Sequence, residues 1–281
     1  MSNRRSRMPG RVGYHSMRSD RLGQWRRVMD LDFKTMTAGA LTENGSSLSV
    51  VDGVSYYVRA RNAANTSYTM TNGTGLVCDF ASTTNGENRI NFKFADRLTL
   101  GPDGHYPRVR VAAAFTGLVA PQAGDYIGCG INAMWRDHND GFSPRVMCKY
   151  RFYGGDYNWY AQANKGTWGG NGSGSDEASP IVDGADEDNG VLSCFEAGAG
   201  VWHARGHVDD AIIAAPGQEP YKAWVTGCGV VHSDNDASSS WYRADAGANS
   251  FDGPYAYLAM KNGSNASQAV TWTRLVVEEF S

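Results

Sequence analysis

Two acidic stretches are the first residues whose types and spacing could do chemistry. Asp176, Glu177, Asp183, Asp186, Glu187 and Asp188 fall in one Gly-rich segment, and Asp137, Asn139 and Asp140 in another. Ca²⁺ collects about six to eight oxygens from carboxylates and carbonyls. Asp183, Asp186 and Asp188, or Asp137, Asn139 and Asp140, are therefore candidate calcium ligands. Neither stretch has the EF-hand order, and a solvated acidic loop or a simple turn accounts for the same residues. His203 and His207 form H-x-x-x-H, but on a strand they stand about 13 Å apart, too far for one metal ion. Only a helix would bring them together, and Gly206 opposes one. The five cysteines are widely spaced, with no C-x-x-C pair, so buried free thiols are expected rather than a zinc site. No P-loop, G-x-G-x-x-G fingerprint or G-x-S-x-G elbow is present. An enzyme is not expected, nor any cofactor beyond a candidate calcium ion.

Aromatic residues offer a different chemistry, stacking on the apolar faces of sugars. Tyr157, Trp159 and Trp168 sit beside Gly-rich loops and are the candidate glycan-binding residues. Trp224 and Trp272 lie in apolar runs and read as core.

A third set is ionic. Arg4, Arg5, Arg7, Arg11, Arg18, Arg21, Arg26 and Arg27 all precede Asp30, and Asp20 is the one acid among them. This segment carries +7, which leaves −10 for the remainder of a chain whose net charge is −3. No apolar stretch follows the arginines, so the segment does not read as a secretory signal, and Pro9, Gly10, Gly13 and Gly23 interrupt any amphipathic helix. Eight arginines could neutralise phosphates, or pair with acidic protein surfaces, where Arg serves better than Lys. Tyr14, Met17, Leu22, Trp25 and Met29 interleave the charges and favour protein docking. The expected anchor comprises these arginines and Trp25, and a chain starting near Asp30 is expected to fold without it.

The elements that position these residues follow from composition. Leu (11), Glu (8) and Lys (6) are scarce, whereas 34 glycines and 32 aromatics are present, which suits short strands and tight turns rather than helices. No run approaches the roughly 18 apolar residues of a membrane span, and mean hydropathy is −0.44. Period-2 alternation marks Val54–Arg59, Ile90–Phe94, Val109–Phe115, Val146–Phe152 and Val270–Phe280. In the last of these, Leu275 and Val277 are expected on one face, and Trp272 and Val276 on the other. Asn72-Gly73, Asn85-Gly86, Asp103-Gly104, Asp140-Gly141, Gly154-Gly155 and Asn262-Gly263 punctuate the runs as turns. The fold class is all-β: an antiparallel β-sandwich or jelly roll with an extended basic N-terminal arm. The arm is expected over residues 1–34, a linker or edge strand over 35–49, and the jelly roll over 50–281, with a long Gly-rich acidic loop at 165–190.

Val109–Trp135 reads as two long strands around Pro-Gln-Ala-Gly-Asp, followed by Trp135-Arg-Asp-His-Asn-Asp-Gly-Phe and a further strand. The chain closes with Tyr255–Met260, an Asn-Gly-Ser-Asn turn and Val270-Thr-Trp-Thr-Arg-Leu-Val-Val277. From Val50 to Phe280 this resembles the concanavalin A-like (laminin-G-like) jelly-roll family, in which an Asn-Asp-Gly-Phe/Tyr turn and a closing strand of this kind recur. The resemblance implies a lectin, a glycosidase or a phage virion protein. Glycosidases of this fold use an E-x-D-x-(x)-E strand, which is absent here. A basic arm before a compact β body is similar to phage decoration, head-fibre or tail proteins. The expectation is a structural bacteriophage virion protein, located in the virion, anchored by its arm to other capsid or tail proteins. It would form a homo-oligomer, a trimer by analogy with virion architecture, and display a lectin-like domain toward host-surface glycans. A carbohydrate-binding lectin or inactive glycosidase-like domain is one alternative. A capsid protein whose arm contacts nucleic acid is another. No membrane partner is expected.

Overall fold

The computed structural model describes residues 25–42, 48–59, 66–80, 86–99, 107, 109–119, 126–132, 145–153, 156–166, 173–177, 181–182, 190–198, 201–207, 226–232, 255–262 and 267–280. These residues form β1 (Trp25–Asp32), β2 (Gly39–Ala40), β3 (Ser49–Val51), β4 (Val54–Arg59), β5 (Thr66–Thr71), β6 (Gly75–Phe80), β7 (Gly86–Lys93), β8 (Val109–Val119) and β9 (Tyr126–Asn132). They continue as β10 (Arg145–Tyr153), β11 (Asp156–Gly166), β12 (Ser173–Glu177), β13 (Ile181–Val182), β14 (Gly190–Gly198), β15 (Val201–His207), β16 (Thr226–His232), β17 (Tyr255–Asn262) and β18 (Gln268–Phe280). One 3-10 turn, Ala95–Arg97, follows β7.

The strands make two nine-stranded antiparallel sheets, a β-sandwich of the jelly-roll type. The first runs β16-β15-β14-β8-β18-β6-β5-β2, with β1 also on β18. The second runs β12-β11-β10-β9-β17-β7-β4-β3, with β13 also on β11. Alternation explains the core. Ile90 and Phe92 of β7 with Phe94 just after it, Ala256, Leu258 and Met260 of β17, and Ile127, Cys129 and Ile131 of β9 point inward from the second sheet. Val111, Ala113 and Phe115 of β8 and Leu275 and Val277 of β18 meet them from the first. The Phe33 and Phe92 rings touch with centroids 5.6 Å apart. Cys78 and Cys129 are buried free thiols. Burial pushes the Cys78 pKa well above its ordinary value, so that thiol stays protonated and inert.

Several expectations change. Trp25–Asp32 is not part of an extended arm: it is β1, paired with β18 from Trp25↔Phe280 to Asp32↔Arg274. Met29 and Leu31 are buried there, because their apolar side chains alternate into the core while Asp30 and Asp32 face out. Between 35 and 49 lie β2 and the start of β3, each at the outer edge of its sheet. The stretch 165–190 carries two short strands, β12 and β13, both on β11. In β18, Trp272 joins Leu275 and Val277 in the core instead of opposing them. A bulge between Trp272 and Arg274 inserts Thr273 and resets the alternation. The Thr273 hydroxyl donates to the Ala114 carbonyl at 3.5 Å.

Asn72-Gly73 closes the β5–β6 hairpin as its sequence suggests, with Gly73 at φ +75°. Asp52-Gly53 does the same between β3 and β4, with φ +47° and +75°, the positive pair of a type I′ turn. The Asp52 carboxylate accepts hydrogen bonds from the Thr37 hydroxyl (2.6 Å) and amide (2.7 Å), which hold its pKa below the usual value.

Candidate functional site

Of the expected anchor, Trp25, Arg26 and Arg27 lie among the described residues, and β18 holds all three. Arg110 and Glu278 are register partners on β8 and β18, facing away from the core, and both are buried. Arg110 pairs with Glu278 through its Nε and Nη2, and Arg27 Nε approaches the other Glu278 oxygen at 3.4 Å. The Arg110 guanidinium also lies over the Trp25 ring, 4.3 Å from its centroid, while Trp25 packs edge-on against Phe280 at 5.3 Å. Arg26 donates to Glu279 through Nε at 2.9 Å and reaches Thr99 Oγ1 at 3.1 Å. The Thr99 amide binds the second Glu279 oxygen at 2.8 Å. The three residues that sequence placed in a docking arm thus root that segment in the sandwich. A cut near Asp30 would remove them, leaving Glu278 with Arg110 and Glu279 with the Thr99 amide, so the compatible cut is before Trp25.

Asp30 extends this network outward, accepting from Arg274 (2.8 and 2.7 Å) and from Arg27 (2.8 Å). Burial raises the Asp30 pKa, but the hydrogen bonds from Arg274 and Arg27 outweigh it and hold it below 3.8. A depressed folded pKa stabilises above the unfolded value and is lost as pH falls through the folded one. Stability of the wild type should therefore drop more steeply below about pH 4 than that of Asp30→Asn. At neutral pH the variant should be weaker by up to about 1 kcal/mol. Urea titrations across that range read both effects.

The second feature is the outward face of the second sheet. Its register aligns side-chain positions in rows that alternate with the core rows. One row runs Tyr57, Asn91, Tyr257, Gly130, Met147 and Gln162. The next runs Arg59, Arg89, Ala259, Gly128, Lys149 and Tyr160. Beyond it come Glu87, Lys261, Tyr126, Arg151 and Asn158, and on the other side Lys93, Tyr255, Asn132, Arg145 and Asn164. Gly130 and Gly128 of β9 stand opposite Tyr257 and Ala259, and Tyr126, Tyr257 and Ala259 form a small buried cluster on this face. Tyr57, Asn91, Tyr257, Arg89 and Tyr126 are buried, while Lys93 and Lys261 are partly exposed. Glu87 accepts from the Tyr126 hydroxyl and lies 2.8 Å from Arg89 Nε; Lys93 Nζ is 3.0 Å from Asp96. Lys261 Nζ sits 5.9 Å from the Tyr126 ring centroid. Sequence reading missed this face, although alternation in β4, β7 and β17 contained it, because only register shows that these strands are neighbours.

Among the aromatic candidates, Tyr157 and Trp159 lie in β11, in register with Phe152 and Tyr150. His203 and His207 both lie in β15, at strand spacing. Arg4, Arg5, Arg7, Arg11, Arg18, Arg21, Trp168, Trp224, Asp137, Asn139, Asp140, Asp183, Asp186 and Asp188 lie outside the described residues. Among the described residues no group of three His, Cys, Asp or Glu side chains could hold a metal ion, and no helix is long and apolar enough to cross a membrane.

No family model and no curated protein matches the chain. Solved structures similar to it include the laminarinase of Rhodothermus marinus, at 13% identity over 93% of this chain and 100% of that one, TM-score 0.47. A legume lectin-like domain from Entamoeba histolytica matches at 12% identity over 80% and 90% of the two chains, TM-score 0.43. The CBM2 module of the Lactobacillus casei BL23 phage J-1 evolved Dit matches at 10% identity over 92% and 97%, TM-score 0.41. These similar structures are concanavalin A-like jelly rolls.

Proposed function

We propose that this chain is a carbohydrate-binding, non-enzymatic virion subunit, of the decoration or fibre type in a bacteriophage. The observation that carries the binding half is the outward face of the second sheet. Glu87, Lys93 and Lys261 are partly exposed there, over a buried layer of Tyr57, Asn91, Arg89 and Tyr257, and can donate and accept hydrogen bonds to a polyhydroxylated ligand. Binding rather than hydrolysis is supported by the absence from the sequence of the E-x-D-x-(x)-E strand that glycosidases of this fold use.

The anchoring half is supported by the way β1 is held. Residues 1–24, with six arginines against Asp20, are continuous with a strand fixed by Glu278 and Glu279, so load on them passes to the sandwich. Copies would assemble as a homo-oligomer on other virion proteins.

Screening the full chain on a glycan array, beside Lys93→Ala and Lys261→Ala with melting curves as folding controls, tests the binding half. At least one glycan class should be retained, with affinity lower by about tenfold in folded variants. Retention of no glycan would overturn it. A chain beginning at Trp25 should melt like the full chain yet fail to join particles. Its incorporation at full stoichiometry would overturn the anchoring.

A further inference from the structure

The contacts of β1 decide how the sandwich responds to a pull on residues 1–24. The first three residues of the strand reach three separate elements. Arg27 and Arg26 meet Glu278 and Glu279 of β18, neighbours that point to opposite faces of the sheet. The Arg110 guanidinium of β8 lies over the Trp25 ring, and Arg26 Nη2 reaches Thr99 Oγ1 in the segment after β7. Farther along, Asp30 accepts two hydrogen bonds from Arg274, and the Phe33 amide donates to the Thr273 carbonyl at 3.0 Å. The Lys34 carbonyl accepts from the Gly73 amide at 2.7 Å. The pairing with β18 also contains a step, because Val28 is an extra residue between Arg27 and Met29, partly buried against the core. Such a bulge does not slide along a regular ladder, so it pins the register.

The place where residues 1–24 join the strand sets the direction of the load. Trp25 pairs with Phe280, next to the Glu279↔Val109 pair, at one end of the first sheet, and the Ala269↔Val119 pair marks the other end. A body on a tether turns until the tether, its point of exit and the point of load lie in one line. With the exit at that end, tension runs lengthwise along β1 and would draw the strand out past Phe280. Seven register pairs and the ion pairs then carry the load together and must break together. A pull across the strands would instead break them singly, starting at Trp25. We infer that β1 is a shear-loaded clamp, which resists lengthwise tension on residues 1–24 and yields to crosswise tension.

The clamp takes its load from the anchoring reading above, and the two fail in different assays. Single full chains are held in optical tweezers in two arrangements. In the first, handles are attached at Met1 and at an azide-bearing side chain in place of Val119, which is exposed. The other loaded strand there is β8, 11 residues long between β14 and β18, and so better held than β1. In the second arrangement the handles are at Met1 and Ser281, which draws Trp25 and Phe280 apart. At equal force the first rupture should be at least about tenfold slower in the first arrangement, since several contacts must be lost together. In Arg26→Gln/Arg27→Gln, shown to be folded by its melting curve, that rupture should become about tenfold faster. Equal rates in the two arrangements overturn the clamp, as does a lengthwise rate unchanged in the folded double variant. If that variant does not fold, the comparison of arrangements in the wild type decides. Incorporation into particles of a chain beginning at Trp25 overturns the anchoring instead, whatever the rupture rates.

Discussion

Arg110→Met should destabilise the protein by about 3–5 kcal/mol, because it leaves the Glu278 carboxylate buried with only the Arg27 contact at 3.4 Å. Glu278 has no measurable solvent exposure, so water cannot replace the lost guanidinium. The cation over Trp25 disappears with it, adding a further loss of order 1 kcal/mol. Methionine fills much of the arginine stem's volume, so the effect reports charge rather than a cavity. Combining Arg110→Met with Glu278→Leu should recover much of the loss, since removing both members of a buried pair costs far less than removing one. Urea unfolding of the wild type, both single variants and the double variant reads the coupling. A loss below about 1 kcal/mol for Arg110→Met would show that the pair is hydrated and that β1 is held by other contacts.

Gly75→Ala should cost about 2–5 kcal/mol for a backbone reason. Gly75 opens β6 at φ +128°, a conformation that side chains rarely adopt. A Cβ there would collide with the Trp272 carbonyl oxygen and lie 3.3 Å from Thr271 Cγ2. The carbonyl belongs to the strand backbone at the bulge, between Trp272 in the core and Thr273 on Ala114, and has little room to retreat. Gly73→Ala, two residues away at φ +75° with open space around its Cβ, should cost only about 1–2 kcal/mol. The difference isolates the collision from the dihedral strain. Equal losses in the two variants would mean that the bulge gives way to the methyl group.

The local texture of the fold is legible in the sequence, and its long-range partners are not. Ile90, Phe92 and Phe94 alternate as a half-buried strand must, and Asn72-Gly73 turns a hairpin as its residue types require. Yet Val109–Val119 and Tyr126–Asn132, adjacent in sequence, lie in opposite sheets. Period-2 alternation tells which way a side chain points relative to its own strand, and nothing of the neighbouring strand. Arg26 and Arg27 look like tail residues because their partners, Glu279 and Glu278, lie some 250 positions on. The bulge at Thr273 is hidden for a related reason, since an extra residue is defined only by the strand opposite it. The polar face is the largest omission. Tyr57, Asn91, Tyr257 and Gly130 come from four separate segments, and they become one row only when β4, β7, β17 and β9 are paired.

β18 gives the molecule a dependence on the order of its synthesis. Along one side it pairs with β6 through Gln268–Trp272 and with β1 through Arg274–Phe280, and along the other with β8. It is also the last of these strands to leave the ribosome. Before it emerges, β16-β15-β14-β8 and β6-β5-β2 are separate half-sheets, each with an open edge, and β1 has no partner among the described strands. A chain stopped short of residue 268 therefore cannot close its first sheet or bury Met29 and Leu31, and remains open to proteolysis. Translation through Glu279 is the condition for a rooted basic segment. Any assembly that recruits subunits by that segment would thereby discriminate finished chains from unfinished ones.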